Sequence, residues 1–264
     1  MLRHLSHHRQ HSDHYVVVLD LLYETNHFYA NRPAIWFVFA TNWSFLILAF
    51  TALLQAALAT YYYLRARRRH AGEPHFNGMP VPLVVLWLFY DVAANGALVV
   101  SFGYWFFLAV WDTQEFLVTP MSHVKHSMNT LYVLADLFVS ATPIRIFHII
   151  YPLTVGIIYT IFNAAYFTNN GLGPGGKHYA YNMMDWRKPI KSAITCSLGF
   201  ILSVLVQLLL FAIYRLRLKL YHKVVREEYL EQEEEHLGIV SSGANDYNTM
   251  EEQGGVDNTR LVQQ

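Results

Sequence analysis

Polar and ionisable side chains recur at helical spacing inside the otherwise apolar segments of this 264-residue chain. Asp91 and Asn95 are four residues apart, and Asn129 and Asp136 are seven apart, so each pair lies on one face of a helix. A carboxylate in the middle of a bilayer costs about 2.5–3.5 kcal/mol on insertion scales. It must therefore be paired, be protonated or contact water. These four residues predict polar intramembrane sites, unless the two aspartates lie near helix ends.

Two further polar stripes follow the same helical spacing. The first apolar segment contains Thr41, Ser44, Thr51 and Gln55, and the fourth contains His148, Tyr159, Asn163 and Tyr166. Uncharged polar side chains in membrane helices most often bridge neighbouring helices by hydrogen bonds worth less than ~1–2 kcal/mol each. Helix bridging is therefore the leading interpretation of five of the uncharged polar residues: Ser44, Thr51, Gln55, Asn95 and Ser140.

The histidine, cysteine and charge patterns predict no metal site and no cofactor. Five of the fourteen histidines lie in the first fourteen residues, and no two histidines have the spacing of a metal-binding pair within a span. The single cysteine, Cys196, cannot form an intramolecular disulfide. The formal net charge is zero, which gives no reason to expect a nucleic-acid partner.

Long uncharged runs predict five helices that position these residues across a lipid bilayer. A helix needs about 20 mostly apolar residues to span the hydrocarbon. The predicted spans are 35–63, 82–111, 125–142, 146–167 and 191–214, the third being the least apolar. These runs lack the alternation of barrel strands, so the fold class is all-α: a multi-pass transmembrane helical bundle over residues 35–215.

Basic residues at the span ends predict the orientation. Arginines at 65–69, Arg145, and the basic residues from Arg215 to Arg226 would lie on one side, which the positive-inside rule assigns to the cytoplasm. A polar, His-rich region 1–34 and the loop 168–190 then face outward. A basic-then-acidic tail, 216–264, is cytoplasmic and partly disordered. The loop and the tail are the predicted contact regions for protein partners.

Three segments resemble the rolling stone family of multi-pass membrane proteins. They are FATNWSF at 39–45, with Asn42 and Trp43; HVKHSMNTLYVLADLF at 123–138; and YAYNMMDWRKP at 179–189, with Asp185, Trp186 and Pro189. The resemblance implies residence at the cell surface, which favours the plasma membrane, or in endomembranes. For the founding member it implies a role in myoblast fusion.

A more distant resemblance is to androgen-induced membrane hydrolases of fatty acid esters. In those proteins an intramembrane threonine is the nucleophile and a histidine on a later helix is its base, because a hydroxyl needs a base to become nucleophilic. Thr41 occupies the threonine position here. The segment KHSMNT is similar to the hydrolase histidine motif, but Asn129 replaces the catalytic histidine, and asparagine cannot accept the proton.

These observations leave two hypotheses for the function of the protein. The missing histidine favours a non-enzymatic protein that acts in cell–cell fusion or adhesion, or as a membrane scaffold. The alternative is an intramembrane lipid-ester hydrolase with Thr41 as nucleophile and His126 or His148 as base, oriented by Asp136. A transporter has little support, because the chain has no internal repeat and no pair of glycine-broken helices.

Overall fold

The computed structural model describes residues 17–68, 79–108, 119–140 and 142–258, with side chains of the last helix described as far as residue 226. Within these ranges the chain is helical and has no strand. The helices are α1 (17–27), α2 (Ala40–Arg68), α3 (Val81–Gly103), α4 (Pro120–Val139), α5 (Ile150–Thr168) and α6 (Pro189–Asn258). Short helical turns occupy Pro33–Val38, Tyr104–Leu108, Ile146–Ile149, Pro174–Gly176 and Asn182–Met184.

Proline and threonine fix several helix starts. Helices α3, α4 and α6 have a proline in the first two positions, where its missing N–H would have had no helical partner. The N-cap of α4 is Thr119, whose hydroxyl accepts a 3.1 Å hydrogen bond from the backbone N–H of Ser122. Arginines in the last turn of α2 suit the negative end of the helix dipole.

Four helical segments within the described residues are long and apolar enough to cross a membrane: Ala40–Arg68, Val81–Leu108, Ile146–Thr168 and Pro189–Arg226. The expected all-α multi-pass bundle is confirmed. The third predicted span forms helix α4 but is not among these four segments. Lys125, His126, Asn129 and Asp136 lower its hydropathy, and the first three are buried.

Helix α3 lies at the centre of the bundle, where it contacts α2, α4 and α5. Small residues permit this close packing: Ala93, Ala94 and Ala97 are almost completely buried. Two apolar clusters form the core. One lies around Leu98, Leu137 and Leu210, and the other is an aromatic cluster that contains Tyr29, Trp36, Phe39, Tyr159 and Tyr181.

Residues 215–264 form a second unit, separate from the unit that ends at Tyr214. The backbone of this unit continues α6 to Asn258. The partial disorder of the tail stays a prediction, and the described backbone is helical as far as Asn258. The glutamates at 227–235 are consistent with a helix there, because glutamate is a good helix former.

Candidate functional site

A cavity of about 310 Å³ lies between α2, α3, α5 and α6, next to the segment 169–188. Small-ligand sites in proteins occupy about 300–1,000 Å³. The polar residues on the cavity wall are Thr41, Ser44, Asn95, Tyr159, Thr160, Tyr181, Thr195 and Ser203. The other side chains of the wall are mostly aliphatic or aromatic. No ionisable Asp, Glu, Lys, Arg or His is among the described residues that line it.

Thr41 lies in the first turn of α2 and lines this cavity. Its hydroxyl shares a 3.4 Å hydrogen bond with the phenol of Tyr181. Burial raises the pKa of Tyr181 to about 12. The phenol therefore stays protonated at neutral pH and cannot serve as a base for the Thr41 hydroxyl.

Ser44, one turn further along α2, presents an unusual oxygen. The residue is 7% exposed, and its Oγ has no hydrogen-bond partner among the described residues. It faces Gly96 of α3 so closely that a Cβ at position 96 would lie 3.3 Å from this oxygen. A buried hydroxyl without a partner costs about 1–3 kcal/mol, so it calls for an explanation.

His126 is buried on α4 and is not among the described residues that line the cavity. Its ring stacks on Tyr104 with the ring centroids 4.0 Å apart. Its Nδ1 has no hydrogen-bond partner in the part of the chain that the structure describes. Thr41 and His126 are thus not joined by any described hydrogen bond.

His148 pairs with Asp91 rather than with Thr41. Its Nδ1 lies 2.5 Å from Oδ2 of Asp91, whose side chain is fully buried, whereas the His148 side chain is 17% exposed. The His148 ring also packs on Trp87 at a centroid distance of 4.4 Å. Asp91 therefore has a hydrogen-bond partner that can carry positive charge. This pairing is one of the ways in which a protein accommodates a carboxyl group inside a membrane.

A hydrogen-bonded chain extends from Asp91 into the middle of the bundle. Gln207 Nε2 donates to Oδ1 of Asp91 at 3.5 Å, and Gln207 Oε1 accepts a 3.0 Å bond from Asn95. The amide oxygen of Asn95 accepts a 2.8 Å bond from Ser203. Polar groups from α3 and α6 thereby satisfy one another, as the helix-bridging interpretation expects for Asn95.

Asp136 and Asn129 lie on α4. Gln55 Nε2 donates a 3.0 Å hydrogen bond to Oδ1 of Asp136, which joins α2 to α4. Asn129 is 5% exposed, and its amide nitrogen has no partner among the described residues. Neither residue lines the cavity, and neither has a described hydrogen bond to His126 or His148.

Asn42 and Trp43 of the first family motif anchor the start of α2. Asn42 Nδ2 donates a 2.7 Å hydrogen bond to the backbone oxygen of Trp36. Trp43 Nε1 donates to the backbone oxygen of Phe37 at 2.6 Å. The Trp43 ring lies against Tyr159 and also lines the cavity.

A buried ion cluster surrounds Lys125 and was missed by the sequence interpretation. Lys125 Nζ lies 2.6 Å from Asp20, 3.3 Å from Glu24 and 2.6 Å from the side-chain oxygen of Asn42. Asp20 also accepts a 3.1 Å bond from the indole of Trp36. The signal in the sequence was the acidic pair Asp20 and Glu24, four residues apart, together with an unexplained lysine near the third predicted span.

The third family motif orders the segment 169–188. Asp185 accepts hydrogen bonds from the Nε and Nη2 of Arg187, at 2.9 Å and 2.8 Å. These bonds to Arg187 hold the pKa of the Asp185 carboxyl below its usual value. Trp186 Nε1 donates a 2.9 Å bond to Asn163 of α5, and Pro189 begins α6.

The match to known proteins covers most of this architecture. The family model "Protein rolling stone" matches residues 26–227. The protein rolling stone of Drosophila melanogaster is 30% identical over 184 residues, which cover 69% of this chain and 67% of that protein. The chain belongs to the rolling stone family. No solved structure matches it.

Rolling stone membership and the apolar helices together establish a multi-pass membrane protein. The predicted family and the membrane location are therefore confirmed. The matched residues include all three motifs, and they also include Lys125 and the loop 168–190. Asp20 and Glu24, which complete the ion cluster, precede the match.

Proposed function

We propose that this rolling stone family member acts without catalysis in cell–cell fusion or adhesion, at the plasma membrane and with its C-terminus in the cytoplasm. The segment 169–188 is the contact surface in this proposal. The supporting observation is the set of side-chain contacts that join the segment to the bundle and to itself. A contact surface that is already ordered loses less conformational entropy when a partner binds.

The segment contacts the aromatic cluster and helix α5, and it also has an ion pair within itself. Towards the bundle, Tyr181 and Met184 are buried in the aromatic cluster. Further along, Asp185 binds Arg187, and Trp186 binds α5. The exposed side chains of the segment include the basic residues Lys177, Arg187 and Lys188. An acidic surface on the opposing cell would complement this charge.

A cell-mixing experiment tests the proposal. Two cell populations express the full chain together with complementary halves of a split reporter, and aggregate size and reporter signal are measured. The double variant Lys177→Glu/Lys188→Glu reverses two exposed charges, so we expect normal surface delivery but mixing no greater than in cells without the protein. The matched control, Lys219→Glu/Lys223→Glu, reverses two exposed charges in the second unit and leaves mixing unchanged.

Mixing that is the same for wild type and the loop variant, at equal surface levels, would refute the proposal. A loss of mixing in both double variants would also refute it. That result would show sensitivity to total charge rather than to the segment 169–188.

The lipid-ester hydrolase is a second candidate, favoured by the position of Thr41 on the wall of an apolar cavity. A nucleophile and its base need hydrogen-bond reach. The described hydrogen-bond partner of Thr41 is instead a protonated phenol, which ranks this candidate second. Labelling of intact membranes with a lipid-like fluorophosphonate, lost in Thr41→Ala, would support the hydrolase.

A further inference from the structure

We propose that the cavity between α2, α3, α5 and α6 is a binding site for an uncharged single-chain lipid with a hydroxyl head group, and that Ser44 hydrogen-bonds this head. The proposal is independent of the contact surface 169–188. It concerns what the membrane-embedded part of the chain binds.

The head-group position follows from Ser44. Its Oγ is buried and has no partner among the described residues, and the residue lines the cavity. Serine in a helix usually satisfies its hydroxyl by bonding a backbone carbonyl of the preceding turn. A ligand hydroxyl can both donate and accept, so it can satisfy this oxygen.

The residues that line the cavity indicate that the ligand is uncharged. The described lining residues include no Lys, Arg or His that could pair with a carboxylate or phosphate. They also include no Asp or Glu that could pair with an amine. A charged head group would lose its hydration there without compensation, which disfavours anionic and cationic lipids.

The size and position of the cavity favour a single chain. Its volume of about 310 Å³ is near the lower limit for small-ligand sites, and aliphatic side chains such as Val99, Val155 and Leu202 line it. The cavity lies between helices that can cross the membrane, so a lipid is the ligand available in the surrounding bilayer.

Gly199 provides a way to fill the cavity without disturbing its wall. This residue lines the cavity, and a Cβ placed on it would have no atom within 4 Å. Gly199→Phe therefore adds an aromatic ring at the cavity wall, where the structure leaves open space. The matched control is Leu205→Phe, which adds an aromatic ring to the same helix at a position that is 57% exposed and outside the cavity lining.

The test uses membranes from cells that express the full chain. A hexadecanol analogue with a diazirine and an alkyne is photocrosslinked, and the labelled peptides are mapped by mass spectrometry. We expect labels on cavity residues of α3 and α6, loss of these labels in Gly199→Phe, and no loss in Leu205→Phe.

Two comparisons define the head group. Ser44→Ala should label about two- to tenfold less at the same probe concentration, the factor that one hydrogen bond supplies. This variant removes a buried hydroxyl that has no hydrogen-bond partner among the described residues, so it should fold normally. The corresponding hexadecanoic acid probe should label the cavity less than the alcohol.

Four results would overturn the proposal. Labels confined to lipid-facing residues, or cavity labels unchanged in Gly199→Phe, would show contact with the bulk bilayer only. Equal labelling by the acid and the alcohol would exclude a site that selects uncharged head groups. Full labelling of Ser44→Ala would exclude the assigned hydrogen bond.

Discussion

Replacement of Lys125 by methionine should strongly destabilise the bundle. The ammonium is 4% exposed and lies between Asp20, which is 1% exposed, and Glu24, which is 15% exposed. Methionine retains an unbranched apolar side chain but removes the charge, so two largely buried carboxylates lose their cation. Breaking a buried ion pair by removing one partner costs about 3–5 kcal/mol.

The loss can be measured as a fall in melting temperature. A change of about 1 kcal/mol shifts the Tm of a 150–250-residue unit by about 2–4 °C, so we expect a fall of about 6–20 °C. The assay is thermal unfolding of the purified full chain in lipid nanodiscs. Tryptophan fluorescence is a suitable signal, because the Trp36 indole donates to Asp20.

A double-mutant cycle separates the ion pair from general damage. Asp20→Asn alone weakens the cluster, but added to Lys125→Met it removes an uncompensated charge and should restore part of the lost stability. A Tm of Lys125→Met equal to that of wild type would refute this reasoning. So would strict additivity of the two substitutions, because it would show that the 2.6 Å contact contributes no coupling energy.

Three further predictions concern other parts of the chain. His148→Ala should lower the melting temperature more than the double variant His148→Ala/Asp91→Asn, because the single variant leaves the buried Asp91 carboxyl without its hydrogen-bond partner on His148. Thermal unfolding measures both variants, and equal values would contradict this prediction. Asn95→Leu should destabilise by a few kcal/mol in the same assay, since it removes the hydrogen bonds that Asn95 makes to Ser203 and Gln207 of α6, and wild-type stability would exclude that role. Arg187 lowers the pKa of Asp185 in the folded state, so the stability that this pair contributes is complete above the unfolded pKa of about 3.9 and is lost as the pH falls through the lower folded value. Limited proteolysis of the segment 169–188 at decreasing pH should show this acid transition in wild type and not in Asp185→Asn. Identical profiles for the two proteins would contradict the prediction.

The helices were predictable because apolar length is a local property of the sequence. Four predicted spans correspond to helices that can cross a membrane, and the third, already the least apolar, became the polar helix α4. The partners of the buried polar groups were not predictable. The contact between Asp91 and His148 joins residues 57 apart, and it depends on how α3 and the α5 region are rotated about their axes.

Long-range pairing also explains what the sequence interpretation missed. Lys125 meets Asp20 across 105 residues, and α1 lies in a region interpreted as polar and His-rich. The hydrolase hypothesis pairs Thr41 with His126 or His148 and stays a prediction. The described contact of Thr41 is with Tyr181, whereas the His126 ring stacks on Tyr104 and His148 pairs with Asp91. The spacing of these residues predicts which helices contain them. It does not predict the distances between their side chains, because these distances depend on how the helices pack.

The cell-mixing assay tests the central claim most directly when Thr41→Ala and Lys177→Glu/Lys188→Glu are compared at equal surface levels. If the segment 169–188 is the contact surface, Thr41→Ala mixes like wild type and the loop variant does not mix. Loss of mixing in Thr41→Ala, with normal mixing in the loop variant, would contradict the role of the segment 169–188 and place the activity at the cavity instead.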